Sequence, residues 1–199
     1  MLKKIIILLS LTISAFALHQ AELNINQKDL EVSAGLDIGQ FNQNVEPNTM
    51  FIGGRFLNAD SDHTDDIASD LNSLFELDFL VKRKLAGTGF SVGMGLKLNY
   101  VKFANSTFSS LPLGLEVGYQ IPLLKALPMS IGGSLYYAPE VLSFADSIAY
   151  FEYRVHYDIE LIENAGLRLG YRNINMKAEG SSKQFNYNDS FYLGFQLKF

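Results

Sequence analysis

Ala149, Phe151, Tyr153, Val155, Tyr157, Ile159 and Leu161 alternate without a break with Tyr150, Glu152, Arg154, His156, Asp158 and Glu160. Successive side chains leave a strand on opposite faces, so strict period-2 alternation is the signature of a strand placed between two environments. The same pattern recurs along the chain. Leu71, Phe75, Leu77, Phe79 and Val81 oppose Asn72, Glu76, Asp78 and Lys82, and after the short turn at 85–89, Phe90 to Tyr100 alternate with Ser91, Gly93, Gly95, Lys97 and Asn99. Leu111 to Ile121 oppose Gly114, Glu116, Gly118 and Gln120. Met129 to Tyr137 oppose Ser130, Gly132, Ser134 and Tyr136, and Pro122 and Pro128 bracket the connection, where a missing N–H harms no ladder. A chain built of two-faced strands separated by turns is all-β.

The remaining segments are less regular. Leu30, Val32, Ala34, Leu36 and Ile38 alternate with small or polar residues, and Ala21, Leu23 and Ile25 suggest a shorter strand before them. Met50 to Asn58 has weaker contrast, since Phe51 and Leu57 share a face with Arg55. Leu167, Leu169 and Tyr171 oppose Arg168, Gly170 and Arg172, but beyond Asn173 the apolar parity passes to Ile174 and Met176, which predicts a bulge or a strand leaving its environment. The chain closes on Phe191, Leu193, Phe195, Leu197 and Phe199, an apolar stripe ending in a terminal Phe that resembles the assembly signal of bacterial outer-membrane barrels. Connections at 85–89 and 162–165 are short, whereas 103–110, 138–147 and 177–188 are longer and polar, which is the habit of such barrels. The count is eight strands or ten, depending on residues 21–41; ten is the reading adopted.

Alternation does not say which face is outside, because soluble ligand-binding barrels alternate too. The charges decide. With the apolar faces outward, the interior receives Glu76, Asp78, Lys97, Glu116, Glu152, Arg154, His156, Asp158, Arg168 and Arg172, together with Lys82 and Lys198. Groups of both signs can pair there, while a Lys or Arg on a lipid face costs about 2–4 kcal/mol near the midplane. The prediction is a closed antiparallel up-and-down transmembrane β-barrel with a narrow or plugged polar lumen, in contact with outer-membrane lipid and lipopolysaccharide and delivered by the barrel-assembly machinery.

The N-terminus agrees with that address. Lys3 and Lys4 precede an apolar run from Ile5 to Ile13 and a small-residue site ending at Ala17, which predicts a signal peptide over 1–17 and a barrel domain over 18–199. The run is shorter than the roughly 20 residues a membrane helix needs. The net charge of −5 becomes more negative once Lys3 and Lys4 leave, so nucleic acid has no electrostatic footing. With no cysteine in the chain, disulfides and thiolate metal sites are excluded.

Candidate chemistry is sparse. His156 stands among Glu152, Arg154 and Asp158, where an imidazole beside carboxylates can act as a general base, but no nucleophile lies at a recognisable spacing and a polar network explains it more simply. His19 and His63 have no nameable partner. Asp60, Asp62, Asp65, Asp66 and Asp70 crowd one loop but lack the Gly and Glu of a calcium loop, so a solvated loop is expected and no metal is assigned. Tyr136, Tyr137, Tyr150, Tyr153, Tyr157 and Tyr171 are read as interfacial tyrosines. Arg154, Arg168 and Arg172 are read as partners of acidic neighbours rather than an anion constriction.

The run YYAPEVLSFADS from Tyr136 to Ser147, the run LGYRNINMKAEG from Leu169 to Gly180 and the closing YLGFQLKF from Tyr192 resemble the YfaZ family of outer-membrane proteins. The resemblance implies a small outer-membrane barrel without an established activity. The expectation is therefore a non-enzymatic barrel, without catalytic residues or cofactor, in a structural or surface-interaction role. A narrow solute channel, a lipid-modifying enzyme and a soluble periplasmic ligand-binding barrel are the alternatives.

Overall fold

The computed structural model describes residues 20–58, 73–102, 106–122, 127–179 and 184–198. The predicted signal peptide, His19, His63, the acidic loop, Leu71, Asn72 and Phe199 lie outside the described residues. Ten strands form the wall: β1 (Gln20–Ile25), β2 (Leu30–Asp37), β3 (Met50–Asn58), β4 (Leu74–Lys84), β5 (Phe90–Lys102), β7 (Leu113–Ile121), β8 (Met129–Ala138), β10 (Ser147–Ile162), β11 (Ala165–Ala178) and β12 (Phe185–Lys198). Two short strands, β6 (Thr107–Ser110) and β9 (Ser143–Ala145), extend the sheet beyond β5 at one end. Each wall strand pairs antiparallel with its neighbour in chain order, and β12 pairs with β1 from Gln20↔Lys198 to Ile25↔Leu193, closing the barrel. No sheet edge runs the length of the wall, which removes the exposed-edge problem. Followed once around, from Leu74 through Leu57, Glu31, Asn24, Gly194, Arg168, Asp158, Ser130 and Gln120, the register returns to the chain beyond Lys84 at the far end of β4. So large a stagger means strongly tilted strands.

The short first segment is a strand, which makes the count ten. The second ends at Asp37: Ile38 and Gly39 lie in a 3-10 turn, and the Asp37 carboxylate accepts from Gly39 N at 3.0 Å and Asn48 N at 2.6 Å, fastening the connection to β3. One barrel end carries the turns at 85–89 and 163–164 and the connection 38–49; the opposite end carries the turn at 26–29 and the described stretches 106–112 and 139–146. These are the short-turn end, with the turns at 85–89 and 163–164, and the long-loop end, with the loop at 139–146.

The apolar parity predicted from sequence faces outward. Leu23, Val32, Ile52, Leu77, Met94, Leu115, Ile131, Val155, Leu169 and Phe191 are exposed, one from each of the ten strands, with Met94 at 70 % and Phe191 at 77 %. The change of parity in β11 has a different cause from the one expected. β11 stays in register with β10 through Ile174 and Met176, and the bulge lies on β12, where the register skips Tyr187. Ile174 and Met176 keep pointing inward, and it is the lining that turns from polar to apolar.

Candidate functional site

Most barrels of this width fill their interior with side chains, and this one does so in layers. At the long-loop end Leu57, Leu74, Val101, Ala138, Tyr150, Ile174, Met176, Phe185 and Tyr187 project inward from seven strands, and Phe108 of β6 packs with them. All are buried, and they plug the lumen there. These residues break the rule that inside is polar, and Leu57 among them shares the inward face of β3 with Arg55 and with Phe51, which is buried nearer the other end.

Beneath the plug is a charged layer centred on Glu152, which is fully buried. Its carboxylate accepts from Arg55 through both guanidinium nitrogens at 2.7 and 3.1 Å, from Lys97 Nζ at 3.0 Å, from Tyr150 Oη at 2.8 Å and from Arg154 Nε at 2.6 Å. Glu31 is a second hub, accepting from Arg154 at 2.6 and 2.9 Å, from Arg172 at 2.6 Å and from Asn24 at 2.8 Å. Arg55 also reaches Glu76 at 2.5 Å, and Lys97 lies 3.2 Å from the other Glu76 oxygen and over the Tyr136 ring. Arg172 is further fixed by Asn188 and Asp29. Four cations, Arg55, Lys97, Arg154 and Arg172, thus meet four carboxylates, Asp29, Glu31, Glu76 and Glu152. Charge-assisted bonds in this density offset the several kcal/mol it costs to desolvate each ion only because every hub oxygen is engaged.

All ten predicted interior residues point inward, but they do not make one network. Glu76, Lys97, Glu152, Arg154 and Arg172 belong to the upper layer. Asp158 and Arg168 form a separate bidentate pair at 2.6 and 2.9 Å, extended to Glu22 at 2.8 Å, with His156 Nε2 3.7 Å from Asp158. The Glu116 carboxylate accepts only from Tyr136 Oη at 2.7 Å, and the Asp78 carboxylate makes no hydrogen bond or ion pair with a described residue. Glu31, Arg55, Glu22 and Asp29 were not among the residues singled out from sequence. Glu31 sits on a clearly alternating strand and its parity marks it as interior; Arg55 was hidden by two apolar residues on its own face, Leu57 of the plug and Phe51 toward the other end.

Two tyrosines read as interfacial are interior instead. Tyr136 and Tyr150 are buried and hydrogen-bond Glu116 and Glu152, and Gly95 and Gly114 leave the room that the Tyr136 ring occupies. Tyr137, Tyr153, Tyr157 and Tyr171 face outward, where Tyr153, Tyr171 and Phe191 form an aromatic row with centroids 5.8 and 4.9 Å apart. Of the closing stripe, Phe191, Leu193 and Phe195 are exposed and Leu197 is half-buried on the same outer face.

Toward the short-turn end the lining becomes small. Ser33, Gly35, Ser91, Gly118, Ser130, Gly132 and Ser134 face inward, and the space they leave is a cavity of about 690 Å³ whose rim is formed by the turns at 85–89 and 163–164 and by Lys198. Its floor is the charged layer, so it opens at one end. Among the described residues no group of three or more His, Asp or Glu converges to hold a metal ion.

No curated protein matches this sequence. The family described as YfaZ precursor matches it over residues 2–199, which takes in the signal-like N-terminus, all ten wall strands and the terminal Phe. By that match the chain belongs to the YfaZ family.

Proposed function

We propose that the protein is an outer-membrane β-barrel with a structural or surface-interaction role and a lumen closed to solute flow. The observation that carries this reading is the distribution of polarity: every wall strand presents large apolar side chains outward, while most charges of the strands point inward, where those of the ionic layer are paired. A soluble barrel gains nothing from that inversion, whereas in hydrocarbon a closed barrel is the β architecture that satisfies all backbone groups. The signal-like sequence at 1–17 and the word precursor in the family description support export. Stacked apolar and ionic layers argue for a scaffold rather than a pore, leaving the loops of the long-loop end to meet outer partners.

The reading predicts that the protein fractionates with the outer membrane and migrates faster on gels before boiling than after. Recovery as a freely soluble periplasmic monomer would overturn it. Deleting Phe199 is expected to lower the yield of folded barrel in the membrane; normal insertion of that deletion would remove the closing stripe from the argument.

A further inference from the structure

The cavity at the short-turn end contains two half-buried charges that its own walls leave without a direct partner. Lys82 and Asp78 both point inward from β4, four residues and hence ~13 Å apart along the strand. Neither side chain forms an ion pair or hydrogen bond with another described residue, although every buried charge in the layer beneath them does. Their neighbours are already committed: Arg168 to Asp158 and Glu22, and Lys97 to Glu76 and Glu152. Glu116 lies opposite Lys82 across Gly93, so a ligand carrying only negative charge would meet Glu116 and Asp78 as well as Lys82.

Cavities of this volume suit small ligands, with a few fixed polar groups setting orientation. We propose that the cavity binds a small zwitterionic solute of the short-peptide class, its carboxylate toward Lys82 and its ammonium toward Asp78. The ligand enters through the short-turn end, because the charged layer and the apolar plug close the other. This site does not depend on which membrane, if any, surrounds the wall.

The test uses the folded full-length protein in detergent micelles and equilibrium dialysis with labelled triglycine, both termini free. Saturable binding is expected, weakened at least about fivefold by Lys82→Met, by Asp78→Asn, or by capping the peptide as its N-acetyl amide, since loss of one partly hydrated ion pair is worth about 1 kcal/mol. Ser91→Phe, which fills the cavity without removing either charge, is expected to abolish binding. Heat-modifiable migration shows that each variant is folded. Absence of saturable binding to the folded wild type, equal binding of the capped peptide, or unchanged binding by both charge variants would each overturn the proposal.

Discussion

The two halves of the interior share the same ten strands and the same outer face, yet one is filled and the other hollow. At the long-loop end inward positions carry Leu57, Tyr150, Ile174 and Tyr187 over a balanced ionic layer; at the short-turn end they carry Gly35, Ser91, Gly118 and Ser130. The outer face answers to its surroundings and is uniform. The inner face is free of that demand, so its variation along the axis records what the barrel is built to do: one half holds the wall together from within, and the other leaves room.

That contrast can be broken most forcefully at Glu152. Replacing it by Ala leaves Arg55, Lys97 and Arg154 facing one another without their shared carboxylate, and a loss of about 3–5 kcal/mol is expected. Because the chain has no Trp, urea unfolding is best followed by far-UV circular dichroism or by the gel shift; a loss below about 1 kcal/mol would show that water enters the layer and screens it. Ile174→Ala opens the plug and is expected to cost about 2–5 kcal/mol in the same assay. It should still leave planar-bilayer conductance at baseline, since the ionic layer remains, and ion flow through this variant would place the seal in the plug alone. Tyr136→Phe removes one bond to a carboxylate, for about 1.5 kcal/mol. Lys82→Met, in the hollow half, should change stability by no more than about 0.5 kcal/mol; a larger loss would mean that the cavity wall is part of the scaffold.

The wall was legible in the sequence because a strand's parity needs only local alternation, and the outward face keeps it in every strand. What lies opposite what was not. Arg55 and Glu152 are far apart in the chain and meet only because the tilt of the strands brings β3 and β10 to the same height inside the lumen. Alternation assigns each residue to one of two faces and is silent about height, so the separation of plug, ionic layer and cavity could not be read. For the same reason Ile174 and Met176 looked like a change of face when they mark a change of layer, and Tyr136 and Tyr150 looked like girdle residues although their parity matched Gly132 and Glu152.

The seam between the first and last strands has a consequence for how the chain can be cut and rejoined. β1 is only Gln20–Ile25, shorter than the roughly 9–11 residues of a spanning strand, so β12 before Leu193 pairs with β11 alone. Side chains bridge the notch instead: Tyr187 Oη donates to the Leu57 carbonyl at 3.5 Å and Asn26 Nδ2 to the Phe191 carbonyl at 3.2 Å. Gln20 and Lys198 lie side by side at the short-turn end. A circular permutant that links them by a few residues and opens at the 85–89 turn would convert this most distant pairing into a hairpin, replacing the costliest loop closure in the wall with a local one.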